Sequence, residues 1–161
     1  MKKKIINKVI TIVSWSLFII SFFRIFFSYE TLPNELGVHF APNGTFDVIA
    51  NKKDFLLVGY PYIMSFIILV ISEVIIFSLN KIKPGFKITK TGETKVKELI
   101  KFLVNITKLF YIIYLSLIWS ECMIRQVNMN STFMGIFTIT YLIITIINLI
   151  LIIKNLLKYK K

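Results

Sequence analysis

Few side chains in this sequence are equipped for chemistry. His39 is the only histidine and Cys122 the only cysteine among 161 residues. His39 and Asp47 flank a turn at Pro42–Gly44, so the two can face each other. A His–Asp pair serves hydrolysis when a serine on a sharp turn supplies the nucleophile, and no serine stands in such a turn here. Zinc wants more nitrogen or sulfur donors than one histidine with Glu30, Glu35, Asp47 and Asp54 around it. Cys122 lies beside Ser120, Met123 and Ile124 with no histidine near in sequence or depth. It reads as a small buried residue rather than a nucleophile. A Ser72–Lys108 pair is the last nucleophile–base combination, and nothing puts Ser72 in a reactive geometry. The expectation is a protein that is not an enzyme, with no metal site and no cofactor.

The remaining charges of interest are those that fall inside apolar blocks. Hydrophobic residues make up 56% of the chain and the mean hydropathy is +0.74, above the usual range of a soluble domain. Four blocks reach the ~20 apolar residues that a bilayer crossing requires. They are Val9–Phe27, Phe55–Leu79, Leu99–Ile124 and Thr132–Ile153. The first is too long for a signal-peptide core and lacks a small-residue cleavage site, so it reads as a retained span. The fold class expected is an all-α integral membrane protein. Its four transmembrane helices form one bundle domain, with a structured extracytoplasmic loop, 28–54, between the first two and a cytoplasmic loop, 80–98, between the second and third. Pro84 and Gly85 are expected to end the second helix.

A net charge of +12 raises the possibility of nucleic acid. The cations sit in short segments between apolar blocks, not in a stripe with exposed aromatics, so no nucleic-acid partner is expected. Their distribution instead sets topology. Sixteen of the 20 Lys and Arg residues fall at the two termini, in the 80–98 connection, or in the first turns of the third span. Arg24, Lys52, Lys53 and Arg125 make up the opposite side. The positive-inside rule places both termini and the middle connection in the cytoplasm of a multi-pass cell-membrane protein.

Depth then pairs the intramembrane charges. Glu73 and Lys108 each lie ~9 Å above the inner end of their span, at matching depth and with opposite sign. Arg24 and Glu121 match near the outer surface, with Arg125 one turn from Glu121 as a competitor. A charge at mid-span costs ~2.5–3.5 kcal/mol on insertion scales, which makes pairing the economical arrangement. Lys108 and Glu121 point about 140° apart on a uniform helix, so the third span needs two neighbours to serve both pairs. Structural pairing is preferred to an ion or proton relay. Polar residues also share faces: Thr11, Ser14, Ser21, Arg24 and Ser28 on the first span, Lys101, Asn105 and Lys108 on the third, and Thr138, Tyr141, Thr145 and Asn148 on the fourth. Such faces are expected to turn towards other helices and act as packing glue.

The 28–54 segment is longer than the ~2–8 residues that usually join packed helices. The Pro-Asn-Gly turn at 42–44 is flanked by alternating stretches, "GVHF" and "TFDVIA", which suit a short hairpin. Val38, Phe40, Phe46, Val48 and Ile49 are expected to press onto the outer end of the bundle as a cap. Within it, His39 orients the loop by hydrogen bonding while Asp47 or Lys52 fixes the turn.

These residues carry a resemblance. Leu32, Pro33, His39, Phe40, Gly44, Asp47 and Lys52, following a first span, resemble the bacterial membrane domain found in Sdp-type toxin immunity proteins. The likeness covers about Val9–Leu79. Gly37 stands where members often have a proline, and the larger immunity proteins carry additional spans. The resemblance implies immunity to, or sensing of, a secreted antimicrobial peptide (a bacteriocin-type toxin), bound through the outer loop and the bundle. Two other readings stand beside it: a small ion or proton transporter or channel, and an accessory subunit that binds another membrane protein. The lipid bilayer is a partner in each.

Overall fold

The computed structural model describes residues 2–81 and 89–160. Pro84 and Gly85 lie outside the described residues. Four helices are long and apolar enough to cross a membrane. Helix α1 spans Lys2–Ser28, α2 Phe55–Lys81 and α5 Ser131–Lys158. Between α2 and α5 a single rod runs through α3 (Lys90–Ile112), a π-helical segment (Ile113–Trp119) and α4 (Ser120–Arg125). The Lys90–Glu98 stretch assigned above to the connection is therefore already helical. Thr89 caps it, its side chain accepting from Gly92 N at 3.2 Å. Asn130 caps α5 in the same way, accepting from Phe133 N at 2.9 Å.

The rod is the centre of the molecule, and α1, α2 and α5 each pack on it. Helices α1 and α2 meet through an aromatic contact of Trp15, Phe18 and Phe22 with Phe66 and Tyr62, and through Ile25, which shares a buried cluster with Val58 and Tyr62. Helix α5 leans on α3 through Phe110, which stacks on Phe137 at 4.6 Å and on Tyr141 at 4.2 Å. Of the face expected to turn inward, Tyr141 and Thr145 are half-buried and Asn148 is buried, but Thr138 is exposed. The reason is that α5 flanks one helix instead of closing a four-sided bundle, so its covered strip is narrow.

The π segment changes the angular relation derived from a uniform helix. Wider turns advance each residue by less than the regular ~100°, so Glu121 is re-phased relative to Lys108. Ser120 Oγ donates to Ser116 O beside it, and Ser116 Oγ donates to Ser65 Oγ at 2.8 Å.

Between α1 and α2 stands a hairpin of β1 (Glu35–Phe40) and β2 (Phe46–Asn51), antiparallel. Gly44 has φ +87°, and a Cβ there would strike the Met129 carbonyl oxygen. Strand β1 lies against the helices, with Leu36, Val38 and Phe40 buried. The expectation for β2 is corrected: Val48 and Ile49 are 40% and 61% exposed. Two register irregularities between Gly37 and Phe40 break the strict alternation, and they turn His39 and Val48 outward together.

The two ends of the molecule are distinct. The hairpin shares one end with the 126–130 turn, because Gly37 N donates to Gln126 Oε1 at 2.8 Å and Met129 N to Gly44 O at 2.8 Å. At the other end Thr89 N donates to Tyr159 O at 3.1 Å, which brings the start of α3 beside the end of α5.

Candidate functional site

Two polar sites sit at opposite ends. The hairpin site begins with Leu32, which is buried with Leu36, Val38, Ala50, Val58, Tyr62, Ile25 and Met123. That cluster anchors the start of β1 to α1, α2 and α4. Phe40 belongs to a second cluster with Leu115, Trp119 and Met129. Pro33 is exposed ahead of β1. Lys52 Nζ donates to Leu32 O at 3.2 Å and sits 5.9 Å from the Tyr29 ring, tying the chain just after β2 to the chain just before β1. On the outward face His39 Nδ1 lies 2.6 Å from Asp47 Oδ1, and both side chains remain about half exposed. Each motif residue thus has a place: Leu32 and Phe40 in the core, Gly44 in the turn, Lys52 at the closing bond, and His39 with Asp47 on the surface.

Trp119 is the residue that sequence reasoning missed. It is buried, and its ring is flanked by His39 at 5.6 Å, Phe40 and Tyr114 at 5.7 Å, and Tyr60 at 5.9 Å. Its Nε1 donates to Val38 O at 3.0 Å, so one side chain fastens β1 to the rod. Gln126 adds a second fastening, and holds a left-handed backbone of φ 53° while doing so. The only sequence signal was a tryptophan near the outer end of a span, which an aromatic belt explains equally well.

The second site is an open cavity of about 1230 Å³ at the lysine-rich end, where charged and amide side chains stand among apolar ones such as Ile12, Ile76 and Leu99. Its walls come from α1 (Asn7, Lys8, Thr11), α2 (Glu73, Asn80), α3 (Lys95, Glu98, Lys101, Asn105) and α5 (Asn155). Lys108 lies behind two of these wall residues, Thr11 and Glu73, and bonds both. The Lys108 side chain is fully buried, with Nζ 2.6 Å from Glu73 Oε1 and 3.0 Å from Thr11 Oγ1. Thr11 Oγ1 in turn donates to Asn105 Oδ1 at 3.2 Å. Glu73 keeps 37% of its side chain exposed. The ammonium therefore has three helices around it, while its carboxylate partner reaches the wet side. Lys101 bonds Glu98 at 2.9 Å and Lys97 bonds Glu93 at 2.7 Å along α3. Lys95 Nζ donates to the Tyr159 hydroxyl at 2.6 Å, and that bond holds the exposed phenol below its ordinary pKa.

Beyond Lys108 the way towards the hairpin is closed. Ser14, Leu69, Ile112, Ser65 and Ser116 all have 0% exposure. Arg24 and Glu121 meet nearer the hairpin, with Arg24 Nη2 2.9 Å from Glu121 Oε1, and Arg125 Nε contacts the same carboxylate. Arg125 therefore shares Glu121 with Arg24 instead of displacing it. Ser72 is buried and does not bond Lys108, whose ammonium is taken by Glu73 and Thr11. Among the described residues, no group of three His, Cys, Asp or Glu side chains comes together around a metal-sized space. Comparison with protein-family models, curated proteins and solved structures finds no match.

Proposed function

We propose that this chain is a multi-pass cell-membrane protein, its hairpin outside and its termini in the cytoplasm, that binds a secreted antimicrobial peptide and gives immunity to it or senses it. The supporting observation is the hairpin. It is fastened to the helices from Trp119, Gln126 and Met129, yet leaves the His39–Asp47 pair and the apolar Val48 and Ile49 on its free face. A rigid ledge that offers a charge pair beside two aliphatic side chains suits an amphipathic peptide arriving at the membrane surface. A pre-ordered surface also spares the ordering cost that a floppy loop carries on binding. The role is one of binding, not catalysis. The lysine distribution and the resemblance of the Leu32–Lys52 segment to Sdp-type immunity proteins support the same reading.

Expression in a sensitive strain tests it. Protection by the native chain, lost on His39→Ala with Asp47→Ala, is expected. Unchanged killing by every candidate peptide rejects the reading.

A second reading, ion or proton transport, is favoured by Glu73 exposed to the cavity beside buried Lys108. The closed layer of Leu69, Ile112 and the serines Ser14, Ser65 and Ser116 weighs against it. Flux measured in proteoliposomes decides: absence of proton, potassium or small-cation movement, with Glu73→Gln as the control, ends this alternative.

A further inference from the structure

The cavity at the lysine-rich end is separate from the hairpin ledge and has a composition of its own. Its carboxylates are already answered: Glu73 by Lys108 and Glu98 by Lys101. Lys8 and Lys95 on the same walls have no carboxylate partner among the described residues, and Lys95 meets only the Tyr159 hydroxyl and ring. The neutral lining is rich in amides and hydroxyls: Asn7, Thr11, Asn80, Asn105 and Asn155. Asn7 is only 8% exposed, and neither polar atom of its side chain has a partner among the described residues. A buried carboxamide without a partner is uncommon in a finished site. The cavity thus offers two positive charges without a carboxylate partner and, in Asn7, one carboxamide without a hydrogen bond, a set that suits a phosphate ester.

The walls also say from which side such a group enters. Aromatic contact between α1 and α2 is confined to Trp15, Phe18 and Phe22 against Phe66 and Tyr62. Nearer the lysine-rich end, Ile12 on α1, one turn from Trp15, and Ile76 on α2, ten residues past Phe66, line the cavity, and Ile12 is 64% exposed. A cavity that sets lysines and asparagines among apolar walls, with isoleucine lips between two lipid-facing helices, fits a molecule with a charged head and apolar tails.

We propose that the cavity binds the phosphate headgroup of an anionic glycerophospholipid of the lysine-rich leaflet, with its acyl chains leaving past Ile12 and Ile76. Lys8 and Lys95 meet the phosphate, and the asparagines meet the glycerol oxygens. Basic pockets between transmembrane helices on the cytoplasmic side are suited to such headgroups. The inference rests on the membrane placement, but not on peptide binding at the hairpin.

The test uses the full chain purified in detergent and exposed to phosphatidylglycerol or phosphatidylcholine, with retained lipid counted by native mass spectrometry. Preferential retention of phosphatidylglycerol is expected. Lys8→Gln with Lys95→Gln should weaken it about thirtyfold, since each lysine near an anionic headgroup contributes about one kcal/mol. The matched pair Lys90→Gln with Lys154→Gln, which removes the same charge outside the cavity, should leave it unchanged. Ile12→Trp, which narrows the lips without altering charge, should also lose the lipid, and it guards against misfolding of the lysine variant. Equal retention of both lipids overturns the proposal, as does equal loss in the matched control. Displacement of the lipid by millimolar inorganic phosphate would assign the site to a soluble phosphate and reject the lipid.

Discussion

The hairpin end and the lysine-rich end face the same physical problem and solve it in opposite ways. Both must terminate long apolar helices against water and satisfy the polar groups exposed there. At the hairpin end, a strand is laid across the helices, and Trp119, Gln126 and Met129 hydrogen-bond it in place over two apolar clusters. At the other end the helices part around an open cavity, behind whose Thr11 and Glu73 walls lies one buried ammonium. The first end spends most of its polar groups on holding the hairpin. The second is open and leaves Lys8, Lys95 and Asn7 without a partner of opposite charge or, for Asn7, any hydrogen bond. The contrast teaches that stability should concentrate at the hairpin end and around buried Lys108, while the cavity walls should tolerate change.

The largest effect is expected from Trp119→Ala. It removes the ring between His39, Phe40, Tyr60 and Tyr114 together with the bond to Val38, and should cost about 4 kcal/mol. Limited proteolysis should then cut near 41–46; a hairpin that stays resistant would show that Trp119 is not its fastening. Next is Lys108→Met, which leaves Glu73 facing a hole where its partner stood. A loss of about 3 kcal/mol is expected in reversible unfolding, with most of it recovered by adding Glu73→Gln. Failure of the second change to rescue would mean that Lys108 acts through packing alone. Gly44→Val should cost about 2 kcal/mol, since φ is positive and the side chain meets Met129. Gln126→Ala should cost about 1 kcal/mol by freeing Gly37 N, read as faster amide exchange at that one position. Smallest is Asp47→Asn, under about 1 kcal/mol because the pair is exposed. If that variant still abolishes peptide protection, the outward face serves recognition rather than stability.

The legible part of this molecule was what depth and local spacing determine. Glu73 and Lys108 could be matched because distance along a span is a single coordinate, and opposite charges at equal depth have reason to meet. His39 and Asp47 could be matched because only a short turn separates them. Which strand would face the helices was not legible: Val48 and Ile49 look as suitable as Val38 and Phe40, and two bulges decide between them. Trp119 and Gln126 were missed because their partners lie more than eighty residues away in backbone groups that carry no side-chain signature. The polar face of α5 showed which side turns inward but not that a single helix receives it, so Thr138 was assigned to a contact that does not exist.

The widened turns at Ile113–Trp119 have a consequence for how this chain tolerates length changes. Since they hold a surplus of chain between Lys108 and the cap, they act as a phase adjuster between two independently built ends. Deleting one residue there would spend that surplus, tightening the wide turns to regular ones while Trp119 and Glu121 keep their directions relative to Lys108. The same deletion in a uniform rod would swing both by roughly a quarter turn, and the cap would lose its fastening and Arg24 its partner.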